Sequence, residues 1–153
     1  MYKQIIIARK DLAMSSGKLA AQVSHGSNAF LLQMIKESSL PYKDEHTLSL
    51  FPEDKTVLYK SLLYMDVDTY ERWICGQYTK AVLQANNKSQ LLKAVKLAEE
   101  IGLKNNKDFF LIYDNCFTEL TPEEDGKTLT CIGFRPLDSE IIDQVGRKYH
   151  LYM

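Results

Sequence analysis

The chain has 153 residues, 45% of them hydrophobic and 25% charged, with a formal net charge of −1. This is one domain's worth of chain with enough apolar surface for a core, and it excludes a uniformly basic nucleic-acid binder, whose phosphate contacts need an excess of Lys and Arg. Cys75, Cys116 and Cys131 stand in no CxxC spacing, so neither a disulfide framework nor a zinc site is indicated; no run has the length of a membrane span or the pattern of a secretory signal, and a cytoplasmic protein is expected. The charge is segregated: Lys3, Arg9, Lys10 and Lys18 meet only Asp11 near the start, whereas the stretch from Glu37 to Glu71 is rich in Asp and Glu.

In chain order, Ile5-Ile6-Ile7-Ala8 predicts a buried strand. A helix follows, started by Ser15 and Ser16, whose hydroxyls can accept hydrogen bonds from free backbone N–H groups. At helical spacing Leu19, Val23, Gly26, Phe30 and Met34 form an apolar face, and Lys18, Gln22 and His25 share another. The N-terminal end of such a helix attracts anions, and Lys18 adds a full positive charge beside it. The helix is expected to fray at Glu37-Ser38-Ser39, and Pro41 opens an acidic, turn-marked segment. Within that segment Thr56 to Met65 predicts an extra strand or half a hairpin, with helix as the competitor.

Asp68 is expected to cap a short helix ending near Gly76. Lys80 to Ala85 predicts a second core strand, and Asn86-Asn87-Lys88-Ser89 a turn and cap. In the next helix Leu91, Val95, Ala98 and Ile101 make the stripe and Gly102 the C-terminal cap. Phe109 to Tyr113 predicts a third strand, of the kind buried on both faces, ending at Asp114. Thr121 to Gly126 reads as loop and turn, and Thr128 to Gly133 as a fourth strand. Pro136, Asp138 and Ser139 start a last helix with Ile141, Ile142 and Val145 inward, before the tail Tyr149 to Tyr152.

Strands alternating with helices predict an α/β fold: three α/β/α layers with a mixed, mainly parallel sheet of about four strands and helices on both faces. Ligands of such sheets sit beyond the carboxyl ends of strands. Lys18 follows the first strand and Asp114 the third, so the two converge at one edge if those strands are neighbours, with His25 farther along the helix. A Lys and an Asp there can orient a water or stabilise an oxyanion, and the Thr118 hydroxyl can hold the same water. The same residues also admit a plain structural role, as a salt bridge at a loop rim. His25 fits an ordinary helix histidine more readily than a catalytic base, Cys116 a small buried hydrophobe more readily than a thiol nucleophile, and Lys3, Arg9 and Lys10 either a phosphate-binding rim or solvated charges. No G-x-S-x-G elbow, Walker loop or H-E-x-x-H pair is present.

The stretch DLAMSSGKLAAQVSHGS, Asp11 to Ser27, resembles the signature of the type 2 peptidyl-tRNA hydrolases of archaea and eukaryotes. Cys75-Gly76-Gln77 with KAVLQA, the helix ending AEEIGL, Asp114 and Thr118, Thr128 to Gly133, and the tail from Asp138 to Tyr152 are similar to later segments of that family, in the same order. The resemblance implies a single domain over 1–153, usually a homodimer, that cleaves the ester joining a peptide to the 3′ ribose of tRNA without metal or other cofactor. It implies Lys18, Asp114 and Thr118 as the catalytic group, with Gln22, His25 and Thr128 in support and tRNA phosphates near Lys3, Arg9 and Lys10. Two departures stand out. Asn115, Cys116 and Phe117 replace a small residue, a glycine and a basic residue, and an acidic insertion occupies about 38–67. The competing expectations are a non-catalytic tRNA-binding or interaction module on the same scaffold, and a hydrolase of another small acyl ester.

Overall fold

The computed structural model describes residues 1–50 and 57–153. In chain order the elements are β1 (Tyr2–Arg9), α1 (Ser16–Ser38), β2 (Leu40–Tyr42), α2 (Glu45–Ser49), β3 (Leu58–Lys60), a wide π-type helical segment (Thr69–Gln77), β4 (Lys80–Ala85), α3 (Lys88–Glu100), β5 (Phe109–Asp114), β6 (Thr128–Phe134), β7 (Leu137–Asp138), α4 (Ser139–Gly146) and β8 (His150–Leu151). They fall into two compact units, Met1–Phe30 with Met65–Met153, and Leu31–Tyr64.

The first unit is built on a mixed sheet with strand order β5-β6-β1-β4-β8, and β7 pairs with the start of β1. Successive residues of β1 serve opposite faces. Ile5 and Ile7 join Leu83, Ala85, the α3 residues Leu91, Ala94 and Ala98, and the α4 residues Ile142 and Val145 in one core. Ile6 and Ala8 join Cys131 against Leu19 and Val23 of α1. The expected three layers and mixed sheet are therefore present, with β1 buried on both sides.

The parallel share is smaller than expected. β1 and β4 pair in parallel from Gln4↔Lys80 to Arg9↔Ala85, while β1–β6, β1–β7, β4–β8 and β5–β6 are antiparallel. The links from β1 to β4, from β4 to β5 and from β7 to β8 contain helices and preserve strand direction; the helix-free link from β5 to β6 reverses it. Consequently β6, β7 and β8 run against β1, β4 and β5. Six strands take part rather than four, because the short β7 and β8 lack the apolar run that marks a strand in sequence.

Three local expectations need correction. Asp66, not Asp68, closes the start of the Thr69–Gln77 segment, accepting from Thr69 N (2.8 Å) and Thr69 Oγ1 (2.7 Å), whereas Asp68 pairs with Arg72. The third predicted strand, β5, is an edge strand rather than one buried on both faces, which leaves Tyr113 exposed. On α4, Ile142 and Val145 are buried while Ile141 is 40% exposed, since a short helix lying on a sheet hides only one stripe. The remaining signals behave as local chemistry dictates. Ser15 Oγ accepts from Lys18 N at the start of α1, Asn87 caps α3, Asp138 caps α4, and Gly102 adopts φ +86° past α3.

The second unit contains the end of α1, the antiparallel pair β2–β3 and α2. Ser38 Oγ accepts from Leu62 N at 2.8 Å, fastening the strand return to the helix end. Pro41 lies in β2, a strand of a two-stranded ladder, where a missing N–H is tolerated. Of the predicted strand Thr56 to Met65, Leu58–Lys60 is extended and Thr56 lies outside the described residues.

Candidate active site

The carboxyl ends of β1 and β5 lie at the same edge of the sheet although the strands are not neighbours. Both are antiparallel to β6, which runs between them, and two reversals restore a common direction. α1 begins at this edge, and Lys18 in its first turn reaches Asp114 at the end of β5: Nζ lies 2.6 Å from Asp114 Oδ2. The same ammonium donates to Thr118 Oγ1 at 3.2 Å. Side-chain exposures of 14% for Lys18 and 10% for Asp114 make this a sheltered pair open at one side.

Asp114 is held by three donors. Oδ2 accepts from Lys18 and from Gln22 Nε2 (2.8 Å), and Oδ1 accepts from the backbone N–H of Cys116 (2.8 Å). Burial disfavours its charge, but the Lys18 and Cys116 hydrogen bonds, the Lys18 charge and the Gln22 amide outweigh it, and the carboxyl is held below its ordinary value of 3.8. A depressed folded-state value adds stability that is complete above the unfolded value and disappears as pH falls through the folded one. Urea denaturation of wild type and Asp114→Asn should therefore differ at neutral pH and converge as the pH falls through the depressed folded-state value, below the ordinary 3.8. A difference independent of pH would show that the carboxylate charge does not contribute.

A β-bulge makes room for these contacts. The β5–β6 register slips between Ile112↔Cys131 and Tyr113↔Leu129, so Thr130 has no partner across the ladder. Thr128 and Cys131, three apart, thus oppose Asp114 and Ile112 on the α1 face, where strict alternation would place them on opposite faces. Thr130 Oγ1 donates to Gln22 Oε1 at 2.6 Å, which fixes the amide so that its nitrogen faces Asp114. Thr128 Oγ1 donates to Thr121 O (2.7 Å) and accepts a weak bond from Cys116 Sγ (3.4 Å), so it braces the loop from behind.

Of the predicted residues, Lys18, Asp114, Thr118 and Gln22 come together, with Thr128 one contact removed through Cys116. His25 lies exposed farther along α1, outside this set of hydrogen bonds. Lys3, Arg9 and Lys10 do not form one rim. Arg9 is 3% exposed, paired with Asp11 and Glu123 (both 2.7 Å), and donates to Leu129 O. Lys3 pairs with Asp143 at 2.6 Å near the other end of β1. Exposed Lys10 donates to Met153 O and lies over the Tyr152 ring. Sequence reasoning missed Thr130, because a bulge leaves no mark in composition, and the Cys116 amide, because a backbone donor is anonymous in sequence. Glu119 was missed as well. Its position four residues before Glu123 in an acidic loop gave no reason to expect it at the start of α1. Among the described residues, no group of three His, Cys, Asp or Glu side chains is placed to hold a metal ion, and no helix is long and apolar enough to cross a membrane.

A family model for the peptidyl-tRNA hydrolase PTH2 matches residues 2–152. The chain belongs to that family. It is 35% identical over 145 residues to a peptidyl-tRNA hydrolase of Methanopyrus kandleri, covering 95% of this chain and 93% of that protein. It is 29% identical to one of Thermococcus onnurineus (94% and 92% covered) and 25% identical to one of Thermoplasma acidophilum (97% of each). A solved structure of a protein of unknown function from Agrobacterium tumefaciens shares the fold, with a TM-score of 0.51 at 14% identity over 99% of this chain and 98% of that one. PTH2 membership agrees with the resemblance carried by the Asp11 to Ser27 stretch, which spans the turn after β1 and the first half of α1.

Proposed function

We propose that this chain hydrolyses the ester between a peptide, or an N-blocked aminoacyl group, and the 3′ ribose of tRNA, with Lys18, Asp114 and Thr118 as its catalytic residues. The observation that carries the reading is the Lys18 ammonium shared between Asp114 and Thr118 at the open edge of the sheet, in a PTH2 chain. With two donors on Oδ2 and one on Oδ1, Asp114 keeps a lone pair on Oδ1 for a water proton. A carboxyl held below its ordinary value is a poor base at neutral pH, so its task is to aim the water and anchor Lys18. The water oxygen bonds to the ester carbon, and negative charge develops on the carbonyl oxygen where the ammonium can meet it. As the carbon–oxygen bond to the ribose breaks, one of the two water protons ends on the 3′ oxygen and the other is released to solvent, leaving a peptide carboxylate and a free tRNA 3′ hydroxyl.

Of the three cations expected to meet tRNA phosphates, Lys10 fits the role best, since Arg9 and Lys3 are already neutralised by carboxylates. The stretch at about 38–67 is assigned as an insertion in an otherwise single domain, and the protein as a homodimer of the cytoplasm serving translation. Release of free tRNA from N-acetyl-aminoacyl-tRNA, with EDTA present, tests the activity. Turnover that survives EDTA supports the reading. Its absence in a folded preparation, beside an active control hydrolase, overturns it, and tRNA binding at two salt concentrations then separates an RNA-binding module from a hydrolase of another ester.

A further inference from the structure

In the loop that carries Thr118, Phe117, Thr118 and Glu119 are exposed, Phe117 at 89%, while Leu120 is buried and Thr121 O accepts from Thr128 Oγ1; residues 116–122 make no backbone–backbone hydrogen bond among the described residues. Its side chains and side-chain contacts hold it instead. At its near end the Cys116 amide is tied to Asp114 (2.8 Å), and Thr118 itself accepts from Lys18 (3.2 Å). At the far end the Glu119 carboxylate accepts from both donors of Ser15: the hydroxyl at 2.7 Å and the backbone N–H. Ser15 is the residue whose hydroxyl in turn accepts from Lys18 N at 3.3 Å. Glu119 therefore fastens the Thr118 loop to the same helical turn that bears Lys18. The chain's own carboxylate fills the anion-attracting end of α1.

We propose that Glu119 is a positioning residue that keeps the Thr118 hydroxyl in register with Lys18 for ester hydrolysis; this rests on the esterase reading above. The charged groups facing Glu119 are Lys18 from α1 and Asp114 from β5. The Ser15 hydroxyl and amide, aided by Lys18 and opposed by slight burial and by Asp114, hold the carboxyl below its ordinary value, so the tie is complete at neutral pH. An exposed carboxylate on a loop adds little to global stability, which separates positioning from folding.

Glu119→Ala is expected to lower kcat by about tenfold with KM and Tm nearly unchanged, because a reacting group displaced by a fraction of an ångström loses rate rather than binding. Glu119→Gln, which keeps one acceptor oxygen for Ser15, should recover much of that loss. In a Thr118→Ala background Glu119→Ala should cause no further loss of kcat. The Thr118 methyl order parameter, read by NMR relaxation, should be high in wild type and fall in Glu119→Ala. Equal order in both proteins, or an undiminished effect of Glu119→Ala in the Thr118→Ala background, overturns the proposal. If wild type shows no turnover, the esterase reading fails, and the methyl measurement still decides whether Glu119 holds Thr118.

Discussion

Lys18→Ala is expected to reduce kcat/KM on N-blocked aminoacyl-tRNA by roughly 10²- to 10⁴-fold, the range that positioned polar groups supply. The ammonium is the element common to both sides of the site, bonded at once to Asp114 Oδ2 and Thr118 Oγ1. Its removal leaves Asp114 with the Gln22 amide and the Cys116 N–H, so the carboxylate is not stranded. The accompanying loss of stability should be limited to about 1.5–3 kcal/mol, the range for one hydrogen bond to a charged group. Circular dichroism at the assay temperature should show a folded protein, which assigns the rate loss to chemistry. Asp114→Asn is expected to fall in the same range, since it keeps the shape and discards the charge that anchors Lys18. A Lys18→Ala protein with wild-type turnover would remove the ammonium from the mechanism.

Gly133→Ala should be the most damaging small substitution in the sheet. A Cβ built at Gly133 falls 2.0 Å from Gly26 O, 2.5 Å from Gly26 C and 2.6 Å from Gly26 Cα. These are backbone atoms in the middle of α1, so no side chain can swing aside. The helix must lift from β6, and with it move Gln22, whose backbone carbonyl meets Cys131 Sγ at 3.3 Å. Overpacking of this severity should cost about 3 kcal/mol or more, equivalent to a fall in Tm of roughly 10 °C for a chain of this size. Because α1 also carries Lys18, residual activity below the new Tm should be impaired as well. Gly17→Ala is the matched control: a Cβ there meets nothing within 4 Å, so its Tm should stay within about 2 °C of wild type. A Gly133→Ala protein as stable as that control would show that α1 does not pack on β6 as closely as described.

What the amino-acid order by itself determined was whatever short-range physics controls. β4 occupies Lys80–Ala85 as the pattern of KAVLQA predicts, α1 ends at Ser38 before Pro41, Asn87 caps α3, and Gly102 takes the left-handed turn past it. These depend on neighbours within a helical turn or a strand repeat, and such neighbours are visible in the chain. The meeting of Lys18 with Asp114 was legible for a related reason, since both follow strands that run the same way, although by way of an intervening antiparallel strand rather than by adjacency. The tertiary structure decided the rest. Arg9 looked like a free cation until Glu123, distant in sequence, came to pair with it. Thr130 became the partner of Gln22 because one extra residue in β6 turned a side chain toward α1, and Glu119 reached Ser15 because the loop after β5 folds back over the start of that helix. Contacts between residues a hundred positions apart depend on strand order, bulges and loop return, and none of these has a local signature. Residue types could therefore be chosen from the chain, but beyond the Lys18–Asp114 pair their partners could be assigned only from the folded sheet.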